Sequence, residues 1–73
     1  MGRKPLHIAC LRGNLEVVKI LVESKADLNS QDRDFNTPLH LTVEFGHNDI
    51  LNHLLERKAD VKIKNFQVIF SIY

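Results

Sequence analysis

The chain has 73 residues, 44% of them apolar and 26% charged, and its net charge is +1. A chain of this length forms at most one small domain, and its near-neutral charge lacks the basic footprint of a nucleic-acid binder. Its apolar runs are too short to span a bilayer. Its lone cysteine, Cys10, excludes an internal disulfide and favours a reducing compartment.

The first predicted elements are two short helices separated by a glycine. The first begins at Pro5, where a missing N–H costs nothing, and runs to about Arg12 before Gly13. The second covers roughly Leu15–Ser24. One face of this helix is expected to be apolar, and it carries Val17, Val18, Leu21 and Val22. A polar turn, 29–34, follows.

The next elements repeat the first two at an offset of 33 residues. Pro5-Leu6-His7 recurs as Pro38-Leu39-His40, and Lys25-Ala26-Asp27 recurs as Lys58-Ala59-Asp60. The repeated unit again predicts a helix to about Phe45, then Gly46, then a helix over Asn48–Lys58. Here Thr37 supplies a good N-cap, whereas Lys4 is a weak one in the first unit.

The second unit contains Thr37-Pro38-Leu39-His40-Leu41, then Gly46-His47, Ile50, Leu54-Leu55 and Ala59-Asp60-Val61. This pattern resembles the ankyrin repeat, and residues 5–29 resemble a second copy. The resemblance implies an all-α solenoid of helix–turn–helix units with a β-hairpin loop between repeats. It implies a single domain over 1–73, with repeats at about 2–34 and 35–65 and a divergent tail at 66–73. Family positions that are usually glycine carry Lys25, Phe35 and Lys58, where a positive φ would cause strain.

The tail leaves two alternatives open. It packs on the end of the solenoid, burying Ile63, Phe66, Ile69 and Phe70, or it begins an atypical third unit. Its last residues, 68–73, are β-branched, aromatic and uncharged, and such a segment is prone to aggregation when exposed.

The resemblance implies a non-enzymatic module that binds a protein partner through the hairpin tips and the concave face of the first helices. The family's contact positions carried onto this sequence are Arg3, Leu11, Arg12, Gln31, Arg33, Asp34, Asn36, Glu44 and Phe45. Exposed Phe and Arg are typical of binding hot spots, although Leu11 and Phe45 could equally be half-buried between units. The alternative is a structural assembly element, either self-associating through its exposed ends or part of a longer ankyrin protein.

No pattern in the sequence indicates catalysis. There is no glycine-rich phosphate loop and no nucleophile elbow, so we expect no catalytic, cofactor-binding or metal-binding residues. His7 and His40 are expected to fix the first helix and the hairpin by hydrogen bonds, and Cys10 to pack as a small apolar residue. We therefore expect no enzyme activity, no nucleic-acid or membrane partner, and an intracellular location in cytoplasm or nucleus.

The family also suggests one modification. The hairpin residue Asn29 occupies a position that can be hydroxylated in ankyrin repeats, but Val22 stands where the preferred Leu would be. Hydrogen bonding that shapes the hairpin is the default role of Asn29.

Overall fold

The computed structural model describes residues 2–60 together with 62 and 63. This part of the chain contains four α-helices and no strand: α1 (Pro5–Arg12), α2 (Leu15–Glu23), α3 (Pro38–Glu44) and α4 (Asn48–Glu56). None of these helices is long and apolar enough to cross a membrane. Both predictions for the tail at 66–73 lie outside the described residues.

Helices α1 and α3 begin in the way that the sequence predicts. Each has proline in its first turn, and the Thr37 Oγ1 accepts the His40 backbone N–H at 3.4 Å. A lysine side chain has no acceptor, so Lys4 gives α1 no equivalent cap. In both units a histidine Nδ1 accepts the N–H of the residue before the proline, from Lys4 to His7 and from Thr37 to His40, each at 2.9 Å.

Residues with left-handed backbone conformation lie at the helix ends and in the loops. Gly13 and Gly46 have φ values of 77° and 73°, as predicted. Lys25, Phe35 and Lys58 have φ values of 68°, 64° and 67°. The strain expected at these three non-glycine residues is therefore present. Because Lys58 adopts this conformation, α4 ends at Glu56, two residues before its predicted end.

The expected β-hairpin between the units is built from turns. The Phe35 N–H donates to the Asp32 carbonyl at 3.0 Å, and the Asp32 N–H donates to the Asn36 carbonyl at 2.9 Å. These two bonds close the loop tip without a strand ladder in the described residues. The loops of the two units are joined where Asn29 Oδ1 accepts the Asp60 N–H at 2.8 Å, so Asn29 bridges neighbouring units.

The core lies between the two helix pairs. Helix α1 packs against α2 and α3, and α4 packs against α2 and α3. The buried apolar residues are Leu6, Ala9, Cys10, Val18, Leu39, Leu41, Ile50, Leu54 and Ala59. Val17 lies on the apolar face predicted for α2 but is exposed, as is Leu55 on α4, because both lie on the outer sides of the two-unit stack.

Candidate functional site

His7 fixes the loop that leads into the second unit. Its ring is fully buried, and its Nδ1 accepts the Lys4 N–H. The proton is therefore on Nε2, which donates to the carbonyls of Ser30 and Asn36 at 2.9 and 3.0 Å. The predicted role of His7 as a hydrogen-bonding anchor of helix and loop is confirmed.

Asp32 holds the loop tip from inside. Its buried carboxylate accepts the N–H groups of Asp34 and Asn36, each at 2.9 Å, and pairs with Arg3 Nε at 3.1 Å. Burial by itself raises the pKa of Asp32. The hydrogen bonds from Asn36, Arg3 and Asp34 outweigh burial, and the net pKa lies below its ordinary value. The loop tip is thus held in one conformation by an ionised side chain.

His40 repeats the role of His7 in the second unit. Its Nδ1 accepts the Thr37 N–H and lies 3.0 Å from Thr37 Oγ1. Burial lowers the pKa of His40, and the opposing influences of the Ile63 carbonyl and Asp32 only partly offset it. The neutral ring is therefore the form that the fold favours.

A set of exposed side chains runs from the loop tip to the far end of α3. At the tip, Arg33 and Asp34 are exposed beside Phe35, which is 43% exposed. At the end of α3, Glu44 is exposed and Phe45 is 46% exposed. Phe35 precedes α3 and Phe45 follows it, and a seven-residue helix is about 10 Å long. We call this set the loop–helix surface: Arg33, Asp34, Phe35, Glu44 and Phe45.

The other predicted contact residues are placed less uniformly. Arg3 and Arg12 are exposed, and Arg3 is tied to Asp32. Leu11 is half-buried against the core, and its carbonyl accepts a hydrogen bond from His47 Nε2 at 3.0 Å. Gln31 is half-buried, and its Nε2 donates to the Phe35 carbonyl at 2.9 Å. Gln31 therefore supports the loop tip, whereas Leu11 belongs to the contact between the two units.

Asn36 does not fit the prediction of a surface contact. It is buried, because its N–H is held by Asp32 and its carbonyl by His7 at the base of the loop. The sequence-based list of contact residues omitted Phe35. The sequence nevertheless contained a signal for Phe35. A large aromatic residue stands at a position that needs positive φ, and packing in the core does not explain its presence there.

The described residues show no arrangement typical of catalysis or of metal binding. Burial raises the pKa of Cys10 to about 12, so its sulfur stays a neutral thiol. This agrees with the predicted role of Cys10 as a small core residue. Within residues 2–60, 62 and 63, no three His, Cys, Asp or Glu side chains are grouped closely enough to hold a metal ion.

The sequence model described as ankyrin repeats (3 copies) matches residues 1–65, most of the chain. This chain belongs to the ankyrin-repeat family. Ankyrin repeats are in general protein–protein interaction modules with a non-catalytic fold. The matched stretch has the length of two ankyrin units, and both are seen as the helix pairs α1–α2 and α3–α4.

One curated protein is similar to this chain over a short stretch. The serine/threonine-protein kinase VIK of Arabidopsis thaliana is 60% identical over 36 residues, which is 49% of this chain. The aligned stretch is 8% of the length of that protein. An overlap of about one ankyrin unit carries no information on kinase activity.

Proposed function

We propose that this ankyrin domain binds a protein partner through the loop–helix surface, assisted by Arg3 and Arg12. The observation that carries the proposal is the pair of exposed aromatic side chains, Phe35 and Phe45, beside charged residues on a fixed scaffold. Aromatic residues, including Phe, and arginine are enriched at protein interfaces, where a few such residues dominate the binding free energy.

Preorganisation supports the same conclusion. The loop tip is fixed by the buried Asp32 carboxylate and the His7 ring. A partner that binds there meets a loop that is already ordered, so association loses less conformational entropy. Phe35 keeps a left-handed φ of 64° at that tip, where glycine would avoid strain, and this is consistent with selection for its side chain.

The test is partner capture by the full chain carrying a photo-crosslinker at Asp34. Purified captured partner is then titrated against wild type, Phe45→Ala and Arg33→Ala. We expect each variant to weaken binding about tenfold or more, as hot-spot truncations do. The matched control is Ile20→Ala on α2, which removes an exposed apolar side chain outside the loop–helix surface. Equal affinity of all four proteins for the partner would contradict the proposal that the loop–helix surface is the binding site.

The domain boundaries and location form part of the proposal. We propose that residues 1–73 act as one ankyrin domain in the cytoplasm or nucleus, since the lone thiol, Cys10, is buried and free. Fluorescence imaging of the tagged chain tests the location. A structural assembly role is a second candidate. It is supported by exposed apolar side chains at both ends of the two-unit stack, which include Val17 in the first unit and Val43 in the second.

A further inference from the structure

An open apolar groove lies on the outer side of the first unit. It has a volume of about 370 Å³ and runs between α1 and α2. Within it Ile8 is 41% exposed and Val17 is 38% exposed. The lining residues are Pro5, Ile8, Ala9, Arg12, Asn14, Val17 and Leu21. Terminal units of repeat proteins normally carry polar outer faces, so an apolar groove here indicates a surface that becomes covered.

The repeat shows what kind of surface covers it. Moving 33 residues along the chain takes Ile8 to Leu41 and Val17 to Ile50, and both of these are completely buried. They are buried because α1 and α2 pack against α3 and α4. The groove is therefore the first unit's copy of the face with which the second unit packs against the first, here without a neighbour.

The opposite end of the chain presents the matching surface. Cys10 is fully buried at the interface side of the first unit, whereas its equivalent Val43 is 62% exposed. Val22 is half-buried, whereas its equivalent Leu55 is exposed. We call the side carrying Val43 and Leu55 the end face. The end face of the second unit is thus equivalent, by the 33-residue offset, to the surface with which the first unit contacts the second.

Polar groups at the two ends also match the internal interface. Inside the molecule, His47 Nε2 donates to the Leu11 carbonyl, and its ring lies where a Gly13 side chain would be. The equivalent of His47 is Asn14, in the groove, and the equivalent of Gly13 is Gly46, on the end face. Among the described residues, no atom lies within 4 Å of a Cβ placed at Gly46. The shorter Asn14 keeps an amide donor for this role, because only its Oδ1 is used, by the Val17 N–H.

We propose that the groove between α1 and α2 binds the end face of a second copy of this chain, in a head-to-tail stack that continues the 33-residue repeat. Charge favours this orientation, because Arg12 lines the groove and Glu44 lies next to the end face. The contact is heterologous, so each copy keeps one free end and longer stacks form as concentration rises. This inference goes beyond partner binding through the loop–helix surface and gives the structural assembly role a specific occupant, a second copy of the chain.

The test is sedimentation velocity of the full chain over a wide concentration range. Wild type is expected to gain mass with concentration. Val17→Arg blocks the groove and Val43→Arg blocks the end face, so each variant alone should stay monomeric. Mixed together they should form a 1:1 dimer and nothing larger, because one intact groove and one intact end face remain. Ile20→Arg, a charge placed outside both faces, should associate like wild type.

Circular dichroism establishes that each variant is folded. If Val17→Arg or Val43→Arg is not, Ile8→Arg and Leu55→Arg replace them. Wild type that remains monomeric throughout, either variant associating like wild type, or a mixture that fails to pair would each overturn the proposal. Neither Val17 nor Val43 belongs to the loop–helix surface, so loss of stacking with partner binding retained separates this result from the proposed function.

Discussion

At the scale of single residues, Phe35 has a strained backbone at the tip of the proposed binding surface. Its φ of 64° costs a non-glycine residue roughly 1–2 kcal/mol. We expect Phe35→Gly to stabilise the fold by about 0.5–1 kcal/mol, because relief of strain exceeds the extra entropy that glycine gives the unfolded chain. The same variant should weaken partner binding. Urea denaturation and partner titration measure the two effects.

Lys25→Gly is the matched control for Phe35→Gly. Lys25 has nearly the same backbone conformation, with φ of 68°, but lies after α2 and away from the loop–helix surface. It should stabilise the chain by a similar amount and leave partner affinity unchanged. If Phe35→Gly bound the partner as tightly as Lys25→Gly, Phe35 would have no part in the surface.

His40 makes stability depend on pH. Its pKa in the folded chain is lower than its ordinary value of 6.5, so the unfolded chain binds the proton more readily. The neutral form therefore stabilises the fold above pH 6.5, and this contribution is lost as the pH falls through the folded pKa. We expect the free energy of unfolding to decrease on acidification from pH 7 to pH 5.

The His40 prediction is checked by denaturation at several pH values and by an NMR titration of the ring. His40→Gln should show a smaller pH dependence than wild type. An NMR titration midpoint at or above 6.5 would contradict the prediction. Asp32 acts in the same direction at lower pH, since its depressed pKa stabilises the fold above its ordinary value of 3.8.

At the scale of elements, α1 and α3 form a natural comparison of helix caps. Both start with proline and a histidine-accepted N–H, but only α3 has a side-chain N-cap, from Thr37. We expect Thr37→Ala to cost about 1 kcal/mol, and Lys4→Thr to stabilise by up to about 1 kcal/mol, because it adds the missing acceptor to α1. Chemical denaturation of the two variants measures both changes, and Lys62→Thr in an exposed turn is the control. A Lys4→Thr chain no more stable than Lys62→Thr would show that His7 alone suffices at this helix start.

At the scale of the whole molecule, two glycines report on the contact between units. Gly13 and Gly46 have nearly the same positive φ, so a Cβ at either one causes similar backbone strain. At Gly13 that Cβ would also lie 2.6 Å from Cε1 of His47, whereas at Gly46 no atom of the described part of the chain lies within 4 Å of it. Gly13→Ala should therefore destabilise the chain more than Gly46→Ala, by about 1–3 kcal/mol.

Thermal and urea denaturation of the two glycine variants gives this difference directly. In the background of His47→Ala the extra cost at Gly13 should largely disappear, because the ring that clashes is gone. Equal destabilisation of the two glycine variants in the wild-type background would mean that the units are not held in the register that places His47 over Gly13.

The local features of both units follow from the sequence. The helices start at Pro5 and Pro38 and His7 anchors the loop, as predicted. The backbone is also left-handed at the predicted positions, which are Gly13, Gly46, Lys25, Phe35 and Lys58. Each depends on neighbours in the chain or on a motif repeated at a fixed offset. The family also follows from the sequence, because the 33-residue repeat preserves turn residues together with apolar positions.

Burial was decided by tertiary structure. Cys10 and Val43 occupy equivalent positions, but one is fully buried and the other is mostly exposed. Asn36 was predicted at the surface and is buried at the base of the loop, where His7 of α1 binds its carbonyl and Asp32 of the same loop binds its N–H. Sequence determines which faces of a unit are apolar; only the stacking of one unit on another determines which of those faces is covered, since burial depends on a neighbour that the unit's own residues do not encode.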